Sequence, residues 1–262
     1  MREAQFSVQP ASSWTTNWVF IGRGIRHSLR DVDAMVMAIA LPVMLMLLFT
    51  YVFGGALDPT GNYVDYVVPG IILLCAGFGA SGTAVKVAED ISNGVIERFR
   101  TMPIQSLGVI TGHVAASLVR NLVATAIVIG VALLVGFRPS VGLGAWLGAA
   151  GVIVLFILAI TWLFAAIGLV AGSASAASGY GFILLFLPYL SSAFVPTRSM
   201  PQWLQGFATH QPITPAIETI RGLLTGLPIG TNAWWAVGWC LLLIVGAFVW
   251  CRVSFHQRSG QR

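Results

Sequence analysis

The sequence predicts an all-α integral membrane protein with six transmembrane helices, and three observations carry that prediction. Hydrophobic residues fill 57% of the 262 positions and charged residues only 9%, whereas a soluble globular domain carries roughly 25% charged residues. Too few charges remain to cover the surface in water, so lipid must cover much of it. The apolar residues gather into runs of the ~20 residues that an α-helix needs to cross the ~30 Å hydrocarbon layer. The short alternating segments of a membrane β-barrel are missing, and a backbone in lipid that must satisfy its own amides then forms helices.

The elements follow in chain order. Residues 1–33 form a polar leader in which Trp14, Trp18, Ile21, Ile25 and Leu29 recur at spacings of four, three, four and four. Arg23, Arg26, His27 and Arg30 fill the other faces, the pattern of an amphipathic helix lying in the headgroup layer. An ordinary juxtamembrane segment with incidental aromatics fits the same letters. The first apolar run begins only near Ala34 and reads as a retained span rather than a cleavable signal. Spans are expected at Ala34 to Gly54, Val67 to Val85, and Leu118 to Gly136, the third continued toward Leu107. Between Arg138 and Arg198 lie 59 residues without a charge. That is too long for one crossing and suits two, with a turn from Gly172 to Gly179. The sixth span runs from about Ala233 to Cys251.

Charge sets orientation and excludes other classes. Thirteen of the 14 basic residues are Arg, and they lie between apolar blocks, which fits topology signals and not a nucleic-acid surface. A cytoplasmic N-terminus puts eleven basic residues inside and leaves Arg138, Arg198 and Arg221 outside, so both termini are expected in the cytoplasm. Cys75, Cys240 and Cys251 sit in apolar runs without ligand spacing and read as buried small hydrophobes. No metal site is expected.

Two connections carry functional signals. Between spans two and three, Asn93-Gly94 breaks a helix, and a short charged helix can follow until the residue ahead of Pro103 ends it. Glu97, Arg98 and Arg100 then lie beside Val95, Ile96, Phe99 and Met102. That mixed surface suits docking on another protein, and it equally suits a solvated elbow. Between spans five and six, prolines at 196, 201, 212, 215 and 228 cut the chain into short pieces. Trp203, Leu204 and Phe207 mark one apolar turn. Ile213, Ile217, Ile220 and Leu224 form a helical stripe, with Glu218 and Arg221 able to pair at i,i+3. A loop this apolar is expected to dip back toward the membrane as short re-entrant helices. Of charges near the spans, His113 and Arg120 stand toward the cytoplasmic end of the third helix, and snorkelling is expected for Arg120. No carboxylate lies centrally in a span, which disfavours ion-coupled transport.

Asn93-Gly94, Glu97-Arg98-Phe99-Arg100 and Met102-Pro103-Ile104 resemble the coupling-helix segment of ABC-2 family export permeases, most closely the daunorubicin/doxorubicin-resistance type. A second matching block holds Ser192-Ala193-Phe194-Val195-Pro196, Ser199-Met200-Pro201, Trp203-Leu204, Gln211-Pro212-Ile213-Thr214 and Arg221-Gly222-Leu223-Leu224. The resemblance covers essentially the whole chain. It implies a leader over 1–33, an ABC-2 transmembrane domain over 34–252 and a tail over 253–262. It also implies a dimer of permeases paired with separate ATPase subunits, the segment from Asn93 to Pro103 receiving the ATPase's motion. The segment containing Pro196, Pro201, Trp203, Phe207, Pro212, Glu218 and Arg221 would line the outer end of the export path. The chain lacks a G-x-x-x-x-G-K-[ST] phosphate loop, so ATP and Mg would sit on the partner subunit and no cofactor on this chain. The expected cargo is an amphipathic or hydrophobic compound. Two alternatives stand beside this reading: export of lipid-linked glycans by the same architecture, and an intramembrane protease suggested by Gly79-Ala80-Ser81-Gly82. The protease reading lacks a histidine within a span core to activate Ser81.

Overall fold

The computed structural model describes residues 32–58, 61–94 and 107–259, and all regular structure among them is helical. The leader with its Trp14-to-Leu29 stripe lies outside the described residues, as do Glu97, Arg98, Phe99, Arg100, Met102 and Pro103. Five of the described helices are long and apolar enough to cross a membrane.

Helix α1 spans Val32–Leu47 and continues through a π-helical stretch, Leu48–Phe53, and a last α-turn, Gly54–Leu57. Pro42 lies inside it and removes the amide that would bond the Ala38 carbonyl four residues back. Cys75 occupies the vacancy, its thiol donating to the Ala38 oxygen at 3.5 Å. Helix α2 spans Tyr63–Ser92 and runs past the expected end at Val85. Its added turns carry Lys86, Glu89 and Asp90, and it stops only where Gly94 takes φ +67°. In that left-handed conformation its N–H bonds the Ile91 carbonyl at 3.1 Å, the usual glycine ending of a helix.

Helix α3 spans Leu107–Val135, starting where the sequence had placed its continuation. At its far end Arg138 donates to the Phe137 carbonyl at 3.1 Å and also to Leu133, placing a cation on the negative end of the helix. Helix α4 spans Leu143–Val170, the most apolar of the set with a mean hydropathy of 2.8. The expected turn over 172–179 is shorter than the sequence suggested. Gly172 takes φ +74°, and the Ser173 hydroxyl accepts from the Ala176 amide at 3.1 Å. That N-cap starts a new helix at once, and helix α5 spans Ala174–Leu184.

The fifth crossing expected from sequence is not a continuous helix. At 1.5 Å per residue α5 is only about 16 Å long. Pro188 lacks the amide that would continue it, and the chain goes on as a 3-10 turn, Leu187–Leu190. Its course along α2 can still be followed. A Cβ on Gly181 would touch Ser81, one on Gly77 would touch Leu185, and Ala193 lies against Gly70. The Tyr63 hydroxyl donates to the Phe194 carbonyl at 2.7 Å. Residues 181–194 therefore run antiparallel to α2 from Ser81 to Tyr63, 18 residues or about 27 Å of helix axis.

Two short helices follow, α6 at Gln202–His210 and α7 at Ile213–Thr225, and then α8 at Asn232–Ser259. The third and sixth apolar runs thus appear as helices longer than their apolar cores. Helix α2 is central, packing on α1, α3, α4, α5 and α7. Its contact with α4 is close because both present small residues: Gly168 meets Ala84 so tightly that a Cβ there would lie 2.3 Å from the Ala84 oxygen. Backbones can approach this far only where side chains are absent.

Candidate functional site

Polar contacts gather at both ends of helix α2. At one, the cap end, α6, α7 and residues 187–199 pack over the bundle. At the other, the connection end, the chain leaves toward the 95–106 segment.

The cap end is organised by Arg221, which is only 5% exposed. Its guanidinium donates to Glu218 Oε1 at 2.5 Å, to the Tyr66 carbonyl at 2.9 and 3.2 Å, and to the Ser192 carbonyl at 2.8 Å. Its carbon also lies 3.8 Å from the centroid of the Tyr66 ring, close enough for a cation–π contact. The i,i+3 pair with Glu218 is present, but the larger part of the arrangement is a junction of α7, α2 and the chain after α5. Neighbouring side chains satisfy the rest of that irregular backbone. Gln211 donates to the Leu187 and Leu190 carbonyls at 3.2 and 2.7 Å. The Thr214 hydroxyl accepts from the Ser192 amide at 3.3 Å and donates to the Ala208 carbonyl at 2.5 Å. Buried non-helical backbone requires partners of this kind.

The predicted residues of this region divide by role. Pro196, Pro201 and Pro212 each stand at the N-cap of a short helix, where the missing amide does no harm. Trp203 is 81% exposed and Phe207 half-exposed, so both point away from the bundle. Glu218 and Arg221 come together at the junction. Tyr63, Tyr66, Ser192 and Gln211 complete it.

At the connection end Asn93 and Gly94 terminate α2 as expected from their sequence. Beside them His113 Nε2 lies 2.7 Å from Asp90 Oδ2, joining α2 to α3, both side chains partly exposed. With the carboxylate oxygen as acceptor, the hydrogen is assigned to Nε2. Sequence reasoning had noted His113 without its partner.

Between the ends α2 and α3 meet along a polar seam. Thr83 donates to Ser117 at 2.7 Å. The Asn121 amide sits in the notch left by Gly79, where a Cβ would lie 1.5 Å from Asn121 Oδ1. Arg120 is 3% exposed and donates to the Gly79 carbonyl at 3.0 Å. Snorkelling, expected for Arg120, does not occur: the absent side chain at Gly79 leaves its carbonyl open to a guanidinium inside the bundle. The i,i+4 recurrence of Ser117, Asn121 and Thr125 within an apolar run was the signal for this stripe.

Ser81 donates to the Phe78 carbonyl of its own helix at 2.8 Å, and His113 is engaged with Asp90. Neither His113 nor His210, which bonds the Gly206 carbonyl, reaches Ser81 to act as its base. Ser81→Ala is accordingly expected to leave protein amount, thermal stability and export unchanged, as measured on membranes of cells producing each form. Among the described residues no group of three His, Cys, Asp or Glu side chains could hold a metal ion.

The profile of the ABC-2 type transporter family matches residues 15–225. The chain belongs to that family. It is 33% identical over 210 residues to the daunorubicin resistance ABC transporter permease protein DrrB1 of Streptomyces coeruleorubidus, covering 79% of this chain and 73% of that one. It is 29% identical over 237 residues to the probable doxorubicin resistance ABC transporter permease protein DrrC of Mycobacterium tuberculosis, with 87% and 85% covered. The permease's cap junction and seam, including Arg120 and Arg221, all fall inside the matched region, as does the 95–106 connection.

Proposed function

We propose that this permease is the membrane subunit of an ATP-driven exporter in the cytoplasmic membrane. It works as a dimer with separate ATPase subunits and moves an amphipathic or hydrophobic compound outward. The match to the ABC-2 family over residues 15–225 carries the proposal, and the drug-resistance names of two relatives support a drug-like cargo. ATP and Mg belong to the partner subunit.

The reading takes the chain to cross six times with both termini in the cytoplasm. The antiparallel course of residues 181–194 along α2 supports the crossing that a single helix does not supply. The two terminal helices support the common side. Ala38 of α1 meets Cys75, and Phe49 stacks on Phe194 at 4.3 Å toward the cap. Ala247 and Cys251 of α8 join a cluster with Val87 and Ile110 at the connection end. Both terminal ends therefore point toward the connection. Helices α6 and α7 are read as re-entrant pieces at the outer mouth, with Trp203 and Phe207 toward lipid.

A series of aromatic rings supports the cargo class. Phe182, Phe186, Tyr189, Phe194 and Phe49 form an unbroken series with centroids 4.3 to 6.1 Å apart, leading along α5 toward the cap. Such rings accept planar apolar groups in several offsets. A glycan would call for hydrogen-bonding side chains there.

Residues 93–103 receive the ATPase's stroke in this reading. Replacing Glu97 or Arg98 should uncouple ATP hydrolysis from export while leaving membrane insertion intact. The check is purified permease and ATPase in vesicles, with cargo movement and phosphate release measured together. Unchanged export after disruption of the whole segment would refute the role. ATP turnover that responds to lipid-linked glycans but not to planar aromatic compounds would reassign the cargo.

A further inference from the structure

We infer that Asp90 and His113 are a positioning pair, clasping α2 to α3 where the 95–106 connection leaves so that the two helices carry a push on it as one body. The inference rests on the transport reading and specifies how the stroke is carried.

The register of the seam is the first support. Moving four residues along α2, from Gly79 to Thr83, moves four residues back along α3, from Asn121 to Ser117. One antiparallel register thus holds over the middle of the two helices. Arg120, in turn, bonds the Gly79 carbonyl and ties α3 to the main chain of α2, which no rotamer change in α2 can release. Small residues and short hydroxyls let the backbones approach closely in this stretch. Sliding would have to break several of these contacts at once.

Beyond Thr83 the contact between the two helices turns apolar, Val87 and Ile91 of α2 packing with Ile110 and Val114 of α3. Asp90 lies seven residues past Thr83, about 10 Å along the axis, and Gly94 then ends the helix. Force arriving through residues 95–106 acts on these last turns as on a lever. Apolar packing of this kind resists separation but allows the helices to slide and turn, so a directed polar tie is what holds their last turns in one register. The His113–Asp90 hydrogen bond supplies that tie at 2.7 Å. Because both side chains are partly exposed, with 25% and 34% of their surface accessible, the pair adds little to static stability. Its loss should therefore register in coupling rather than in folding, and this separates a positioning role from a structural one.

The opposite end of α2 is held as well. Tyr66 is gripped by Arg221, so a hairpin that moves as one body delivers the displacement to the cap junction.

The experiment uses permease and ATPase together in vesicles loaded with ATP, reading cargo moved per ATP hydrolysed beside the thermal midpoint. Asp90→Asn and His113→Gln should each lower cargo per ATP at least threefold with the midpoint unchanged, and the exchange Asp90→His with His113→Asp should restore it. A second arm replaces the three native cysteines by Ala and introduces Thr83→Cys with Ser117→Cys. Oxidation should lock the seam and leave export at the level of the reduced form. Wild-type cargo per ATP in Asp90→Asn, a midpoint that falls in parallel with coupling, or export arrested by the seam disulfide would each overturn the inference. Wild-type protein that hydrolyses ATP without moving any cargo would instead overturn the transport reading.

Discussion

Arg221→Met should lower the thermal midpoint of the purified permease more than any other single change in the cap, and export should fall with it. The effect does not come chiefly from Glu218, whose side chain is one-third exposed and can rehydrate when left alone. It comes from the carbonyls of Tyr66 and Ser192, which lose buried donors. An unsatisfied buried acceptor costs about 1–3 kcal/mol, and breaking a buried charged junction costs about 3–5 kcal/mol in all. Arg221→Lys should recover only part of this, because an ammonium lacks the planar fork that reaches two elements at once. Glu218→Gln should cost about 1 kcal/mol or less, the usual range for an accessible pair. Thermal unfolding in detergent decides the order. A wild-type midpoint for Arg221→Met would remove the junction from any account of the cap.

Gly168→Ala is the second large effect. The added Cβ meets the Ala84 oxygen, α-carbon and carbonyl carbon at 2.3 to 3.0 Å, and main-chain atoms cannot rotate away as a side chain would. Helices α2 and α4 must separate, at about 1–3 kcal/mol for overpacking. The polar seam on the far side of α2 should loosen with them. Gly151 lies on the same helix with nothing within 4 Å of its Cβ position. There the same substitution should be neutral or stabilising by up to about 1 kcal/mol from helix propensity. Comparing both variants for midpoint and for amount in the membrane separates a packing effect from a propensity effect. Equal behaviour of the two would mean that the close approach of α2 and α4 does not matter.

How much could be read in advance depends on the range of the interaction involved. The long helices were legible because hydropathy is a local property: span length, the Asn93-Gly94 stop and the prolines at the starts of short cap helices each need only a few neighbouring residues. The Glu218–Arg221 pair was legible for the same reason, as one helical turn sets its distance. The broken course of α5 was readable in principle from Pro188, yet the surrounding apolar letters outweighed it. The burial of Arg120 and the reach of Arg221 to Tyr66 and Ser192 were not legible. Each depends on which carbonyl another helix presents, across 41 residues for Gly79 and Arg120 and 155 for Tyr66 and Arg221.

By itself, then, the sequence determined that this chain forms long apolar helices, where most of them stop, and through its motifs the family to which it belongs. Tertiary structure alone decided which polar groups share the interior, that α2 is the central helix, and that both its ends are tied to neighbours. The physical reason is that hydrophobic burial in lipid is nearly indifferent to partner, whereas a hydrogen bond to a particular carbonyl exists only once the helices have met in register.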